Sequence, residues 1–274
     1  MEINRGNILE IVNNSNARPD KDYGQNFLVE PQVCYRIVQS LDIHEGDKVL
    51  EIGPGLGSLT HFLEETKQSV DVVDIDERMI AFLKLVYGNS SNIRIIQNDI
   101  RRHDVSGYTK IIGNLPYNIT TETIVYLLLN AKNVKKIVLM IQSDTFAHFF
   151  DVSGKEYGPA SVLLHLLGES KKLFQVKPGS FYPSPKCNSV VFSIDISPMC
   201  EVEEAKQVYS LAKNLFLNRR KTILNNLQNV IKNKDVAIQV LEQVNIPITQ
   251  RPEEISSDKY LKLHRAINLA LSKK

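Results

Sequence analysis

The sequence predicts an α/β fold: a mostly parallel sheet with an antiparallel last strand, followed by a small all-α C-terminal domain. Three observations carry that prediction. Short apolar runs at 48–52, 70–74, 93–97, 110–113 and 136–141 alternate with helical patterns. Such alternation puts parallel strands beside crossover helices on both faces of a sheet. Residues 190–196 alternate polar and apolar after a helical stretch at 157–167, as a closing antiparallel strand would. After Ser197-Pro198 the apolar period is helical throughout, at 203–217, 222–231, 235–244 and 258–271. The expected domains are therefore 1–197 and 198–274.

The elements follow in order. Residues 1–22 are polar and turn-rich around Asn13-Asn14-Ser15-Asn16-Ala17-Arg18-Pro19-Asp20, so this stretch is expected to be flexible. A helix follows Pro31, with Val33, Ile37, Val38 and Leu41 on one face. The first strand ends in a glycine-rich turn, and Ser58 or Thr60 opens a helix to Glu65. Helices at 77–87, from about 121 to 130 and from about 144 complete the crossovers.

Composition sets the broad class. With 274 residues, 43% hydrophobic and 23% charged, the chain reads as an ordinary globular protein. No apolar run approaches the ~20 residues of a membrane span, and the N-terminus has no signal-peptide core. Cys34, Cys187 and Cys200 show neither paired nor metal-ligand spacing, so free thiols in a reducing cytoplasm and no metal site are expected; a monomer is expected as well. The net charge of +2 hides an asymmetry: residues 1–170 carry 16 Lys and Arg against 22 Asp and Glu, while 171–274 carry 17 against 9. A basic C-terminal third suggests a polyanion-binding end, against the alternative of a basic surface with no partner.

The motif Glu51-Ile52-Gly53-Pro54-Gly55-Leu56-Gly57 joins the first strand to a helix. Its third glycine comes two residues after the second, which is not the dinucleotide spacing, and no Gly-Lys-Ser/Thr follows. The loop therefore argues for a ligand without phosphates. The second strand ends at Asp74, 21 residues after Gly53, where a carboxylate can accept ribose hydroxyls. The third leads into Asp99, which can accept from an adenine amine. Each acid alone reads equally well as a solvated turn residue. As an ordered set at strand ends they fit an adenosine-bearing cofactor, and S-adenosylmethionine fits best. Glu51, at a buried strand end, is expected to bind loop amides or the cofactor's ammonium, or to make a structural hydrogen bond only.

The fourth strand runs into Asn114-Leu115-Pro116-Tyr117. An adenine N6 amine is a poor nucleophile because its lone pair is delocalised into the ring. Acceptors from the Asn114 side chain and the Leu115 or Pro116 carbonyl can bond its hydrogens and localise that pair, while Pro116 stiffens the turn and Tyr117 stacks on the base. In isolation the tetrapeptide would be an Asn-Pro turn capping a helix. Beside the cofactor set it reads as a target-amine site.

These motifs together resemble the ribosomal RNA adenine dimethyltransferases, the KsgA family, over nearly the whole chain. Gly24-Gln25-Asn26-Phe27-Leu28 matches its N-terminal cofactor motif, Glu51 to Gly57 the glycine loop, Asn98-Asp99 the adenine-side acid, and Asn114 to Asn118 the target-amine motif. Phe181 to Val190 matches a late motif, and Leu217 to Thr222 and Arg251 to Glu254 resemble its helical domain. The resemblance implies a Rossmann-like S-adenosylmethionine-dependent methyltransferase sheet and dimethylation of N6 on two adjacent adenosines near the 3′ end of small-subunit rRNA. The implied partner is a pre-assembled 30S subunit, and the implied product S-adenosylhomocysteine. Asn26, Leu28 (through its backbone), Gly53, Asp74, Asp99 and Asn114 would contact or border the cofactor, with Glu51, Gly55 and Gly57 in the same loop. Asn114, Leu115, Tyr117 and Phe181 would frame the base, and Lys186, Arg219, Arg220 and Lys221 would meet RNA phosphates.

Three departures mark the substrate side. Gln142-Ser143-Asp144-Thr145-Phe146-Ala147 stands where the family usually has Gln-Lys-Glu-Val-Ala, Thr121-Glu122 replaces a usual Thr-Pro, and Asn188 stands where Asp is common. An Erm-type methyltransferase of large-subunit rRNA shares the main motifs and often carries Asn at the last position, but the Arg219-Arg220-Lys221-Thr222 stretch and long helical tail fit it less well. A glutamine or DNA-adenine methyltransferase would place Pro at Leu115. A non-catalytic RNA-binding assembly factor would have less need of intact Gly53, Gly55, Gly57, Asp99 and Asn114.

Overall fold

The computed structural model describes residues 1–15, 17–20, 24–116 and 118–272. In chain order, α1 (Ile8–Asn14), β1 (Phe27–Leu28) and α2 (Pro31–Ser40) precede the alternating elements. These are β2 (Lys48–Ile52), α3 (Ser58–Glu65), β3 (Ser69–Asp74), α4 (Glu77–Tyr87), β4 (Ile93–Gln97), β5 (Lys110–Asn114), α5 (Thr120–Asn130), β6 (Lys136–Gln142) and α6 (Ser143–Phe150). Then come α7 (Pro159–Leu167), β7 (Gly168–Val176), β8 (Phe181–Tyr182) and β9 (Ser189–Ile196). The chain ends in α8 (Val202–Phe216), α9 (Ile223–Ile231), α10 (Lys234–Gln243) and α11 (Ser257–Leu271).

Among the described residues, seven strands form one sheet in the order β4-β3-β2-β5-β6-β9-β7. The pairs β3/β4, β2/β3, β2/β5 and β5/β6 are parallel, and β9 runs antiparallel to β6. This is the expected Rossmann-like sheet. Its central strands are buried on both faces, which is why they read as continuous apolar runs. Val49, Val70, Val72, Ile112, Val138 and Met140 form one core with Cys34, Ile37 and Val38 of α2 and Leu59 and Leu63 of α3.

Three strands escaped the sequence reading. β7 carries Lys171-Lys172 and lies at the sheet edge, where one side of the ladder is free and no strong apolar pattern is demanded. β1 and β8 form a separate two-stranded antiparallel ladder, with Phe27 opposite Tyr182 and Leu28 opposite Phe181. Two residues carry no periodicity, so only the long-range pairing reveals it.

The flexible segment expected at 1–22 is corrected where it is described. Residues 8–14 form α1, and Ile3, Ile8, Val12 and Ala17 are buried against Phe27, Val29, Leu56, Met79 and Phe82. The apolar spacing was present, but the Asn- and Pro-rich flank obscured it. Lys21 and Asp22 lie outside the described residues.

The chain divides into two compact units, one of residues 1–145 with 170–196 and the other of 146–169 with 197–274. The sequence reading kept 146–169 with the sheet. These residues instead join the C-terminal helices because α7 is apolar all round, burying Val162, Leu163, Leu164, Leu166 and Leu167, and it packs on α8 and α11. The C-terminal helices begin and end within two residues of the expected bounds.

Gly57 sets how the chain turns from β2 into α3. Its φ is +86°, and an added Cβ would lie 2.8 Å from Cε2 of Tyr87, whose ring is buried and whose hydroxyl donates to the Gly57 carbonyl at 3.3 Å. A buried ring cannot swing away as a flexible chain end can. Gly57→Ala is therefore expected to lower stability by roughly 1–3 kcal/mol, combining left-handed strain with the clash, read from the urea midpoint at unchanged m-value.

Candidate active site

Parallel register assembles the site. Ile52 pairs with Val73 on one side and Gly113 on the other, and Val73 pairs with Ile96. One step further along these strands lie Gly53, Asp74, Gln97 and Asn114. They form a row at the carboxyl edge of the sheet, where open α/β sheets bind ligands. A cavity of about 300 Å³ opens there. Asn26, Leu28, Glu51, Gly53, Gly55, Asp74, Asp99 and Asn114 line it, as do Leu115, Pro116 and Phe181. Gly57 does not. It acts one residue before α3, in the turn.

The cavity is rich in carboxyl groups that want positive charge. Glu51 is 1% exposed, and burial pushes its carboxyl up to about 8, with Thr60 Oγ1 donating to Oε2 at 2.7 Å as the opposing influence. Asp74 is half-buried. Desolvation pushes it up to about 6, against backbone amides of Asp76, Gly55 and Ile75. Asp99 behaves in the opposite way. Hydrogen bonds from Arg101 hold it below the usual carboxylate range, with Nε at 3.0 Å and Nη2 at 2.8 Å. Two acids with raised pKa values and, among the described residues, no cation beside them make the cavity complementary to a cation.

The target side is held by main chain. Asn114 Nδ2 donates one of its two hydrogens to the Asn26 carbonyl at 3.3 Å, which orients the amide and leaves Oδ1 as an acceptor. The Leu115 amide donates to Met140 at 3.0 Å, anchoring the turn to β6. The Pro116 carbonyl already accepts from Thr120 Oγ1 at 2.9 Å. That leaves the Leu115 carbonyl as the better second acceptor. Phe181 is buried, fixed by the β1/β8 ladder beside Leu28, whose own carbonyl accepts from Ser58 Oγ at 2.7 Å. Tyr117 lies outside the described residues.

Other expected residues are not gathered here. Lys186 is exposed beyond Phe181, away from the cavity lining. Arg219, Arg220 and Lys221 belong to the helical unit. Arg220 and Lys221 are exposed, whereas Arg219 donates to the Gly154 carbonyl at 3.2 Å, approaches Glu253 at 4.0 Å and lies over Phe216. It is a structural clamp as much as a surface charge. The departures Ser143 and Asn188 meet each other, since the Ser143 amide and Oγ both reach the Asn188 carbonyl at 3.0 Å.

Sequence reasoning missed Gln25, Ser58, Ile75 and Arg101. Gln25 lay inside a quoted motif, yet its role is second-hand: Nε2 donates to Asp76 Oδ2 at 2.9 Å and so braces the turn after β3. Ser58 was read as a helix start only. Ile75 is 51% exposed at the cavity wall, an exposure invisible to pattern. Arg101 followed Asp99 by two residues, and spacing alone cannot reveal a chelating side chain.

Glu51 yields a test independent of function. Because its folded pKa is raised, its protonated form is favoured in the native state. That contribution is full below the ordinary carboxylate pKa and is lost as pH rises through about 8. Glu51→Gln, which keeps an acceptor for Thr60, should thus match wild type near about pH 5 and exceed it near about pH 9. The gap should open by more than ~1.4 kcal/mol, the value of one pKa unit, in denaturant unfolding at the two pH values. A gap independent of pH would show that Glu51 does not titrate as its burial requires.

The relatives agree with this geometry. The sequence profile of the ribosomal RNA adenine dimethylase family matches residues 15–268. "Ribosomal RNA small subunit methyltransferase A" of Malacoplasma penetrans is 35% identical over 262 residues, covering 93% of this chain and 94% of its own. The protein of the same name from Alkaliphilus oremlandii is 34% identical, covering 92% of each. A dimethyladenosine transferase from Plasmodium falciparum superposes with a TM-score of 0.76 at 26% identity, over 89% of this chain and 98% of that one. The 23S rRNA methyltransferase ErmE shares the fold, with a TM-score of 0.68 at 21% identity over 89% of this chain and all of its own. With its profile spanning both units and its site residues meeting in one cavity, this chain belongs to the ribosomal RNA adenine dimethylase family.

Proposed function

We propose that the protein transfers methyl groups from S-adenosylmethionine to N6 of two adjacent adenosines in a loop near the 3′ end of small-subunit rRNA, within a pre-assembled 30S subunit. The observation that carries this reading is the meeting of Asn114, Glu51, Asp74 and Asp99 around one cavity in a chain of this family. The cavity fits the cofactor on chemical grounds. Its acids Glu51 and Asp74 suit an ammonium and a sulfonium, and its glycine loop holds no lysine for a phosphate. Bound S-adenosylmethionine supplies an electrophilic methyl group.

The chain's own residues do the rest. In this reading Asp74 accepts the ribose hydroxyls, Asp99 the adenine amine, and Glu51 faces the ammonium, with Asn26 and the Leu28 backbone bordering the pocket. Asn114 Oδ1 and the Leu115 carbonyl accept the two N6 hydrogens, turning the nitrogen lone pair out of conjugation. Pro116 fixes the turn and Phe181 packs on the base, which by the family resemblance Tyr117 would also frame. Held by Asp74, Asp99 and Glu51, the cofactor would supply its methyl group to the N6 lone pair, with the C–S bonding pair departing on S-adenosylhomocysteine as leaving group and the N6 proton released to solvent. The chemistry requires no metal and no strong base, so positioning supplies most of the acceleration. Lys186, Arg220 and Lys221, with Arg219 more constrained, contact phosphates, and docking depends on RNA shape and charge rather than base sequence. The reading carries with it a monomeric enzyme acting in the cytoplasm.

Two measurements test it. Asn114→Ala should abolish transfer while changing S-adenosylhomocysteine affinity by less than about tenfold, ~1.4 kcal/mol; near wild-type turnover would remove Asn114 from the chemistry. Purified protein should label 30S particles and leave 50S precursors unlabelled, with the product mapped as N6-dimethylated adenosines. The opposite labelling would favour the Erm-type alternative, and RNA binding without saturable cofactor binding would favour the assembly factor.

A further inference from the structure

Arg101 joins three features that the sequence presents separately. Its Nε and Nη2 grip the two oxygens of Asp99, at 3.0 and 2.8 Å, and its backbone amide adds a third bond at 2.9 Å. Its remaining nitrogen, Nη1, donates to Glu122 Oε2 at 2.7 Å. Glu122 lies in the first turn of α5, and Thr120 of that turn holds the Pro116 carbonyl of the target loop. Continuous contacts therefore run from the acid at one end of the cavity to the loop at the other.

Stability is a poor explanation for this arrangement. The Glu122 side chain is 66% exposed and that of Arg101 39%, and exposed ion pairs contribute about 0–1 kcal/mol. The geometry is more telling. A planar guanidinium holds both oxygens of a carboxylate in one plane, which a point charge cannot do. Arg101 also lines the cavity itself. We propose that Arg101 is a positioning residue: it fixes the Asp99 carboxylate for the cofactor's adenine and, through Glu122, ties that carboxylate to α5 and the target loop. This rests on the cofactor reading given above and adds the residue that orients its adenine-side acid.

The test is calorimetric titration of S-adenosylhomocysteine into the full-length wild type, Arg101→Met, Arg101→Lys and Glu122→Gln, with melting of each unliganded protein. Arg101→Met should weaken binding about tenfold, ~1.4 kcal/mol. Arg101→Lys and Glu122→Gln should weaken it about threefold each, because the charge or the fork survives in part. The KM for S-adenosylmethionine should rise with these constants, while kcat falls by less. Binding by Arg101→Met within about twofold of wild type overturns the proposal, as does a loss of affinity that only tracks a fall in melting temperature. If Arg101→Met does not fold, Glu122→Gln decides, and wild-type affinity there overturns the tie to α5. Wild-type protein that fails to bind S-adenosylhomocysteine overturns the cofactor reading itself, a result separate from equal binding by all variants.

Discussion

Parallel register is the constraint on which everything else depends. Because β3, β2 and β5 run the same way and align Val73, Ile52 and Gly113, three chain segments reach the same edge of the sheet in one row. A slip of one residue in any pair would turn Asp74 or Asn114 to the opposite face and bury a different side chain in the core. The apolar strands hold the register because such a slip would pull Val70, Val72 and Ile112 out of the core in which they now pack. The chemistry at the edge is thus secured by packing several residues away from it.

Much of this was legible beforehand, for a physical reason. Central strands buried on both faces must be apolar, and glycine and acid residues at their ends break the run sharply. The strands therefore appeared at their observed places, and so did the row of Gly53, Asp74, Asp99 and Asn114. The helical tail was legible because an amphipathic period of 3.6 survives even a basic surface. What failed to show was whatever depends on distant partners. The β1/β8 ladder has two residues on each side, β7 is a polar edge, and α1 hides its buried Ile8 and Val12 beside asparagines. Residues 146–169 change units because of what they pack on, which no local pattern encodes.

The electrostatics of the cavity divide it by task. Among the described residues Glu51 and Asp74 have no cation beside them, and desolvation raises both, so the site stands to gain from a positively charged ligand. Asp99 has a cation of its own and stays ionised without one. Two acids therefore answer to charge, and one answers to direction. Such a split lets a pocket attract a cation while still reading the flat, neutral part of the same molecule.

The small ladder of β1 and β8 has a further consequence for how the protein comes into being. Leu28 and Phe181 are partners across it, although 153 residues separate them in the chain. Leu28 and Phe181 both line the cavity, so its lining is complete only when both have been made. At the ~5–20 residues per second of synthesis, several seconds or more separate the making of Leu28 from that of Phe181. A nascent chain stopped before Phe181 is therefore an open, incomplete pocket, and the competent site appears only once the last third of the protein is on its way.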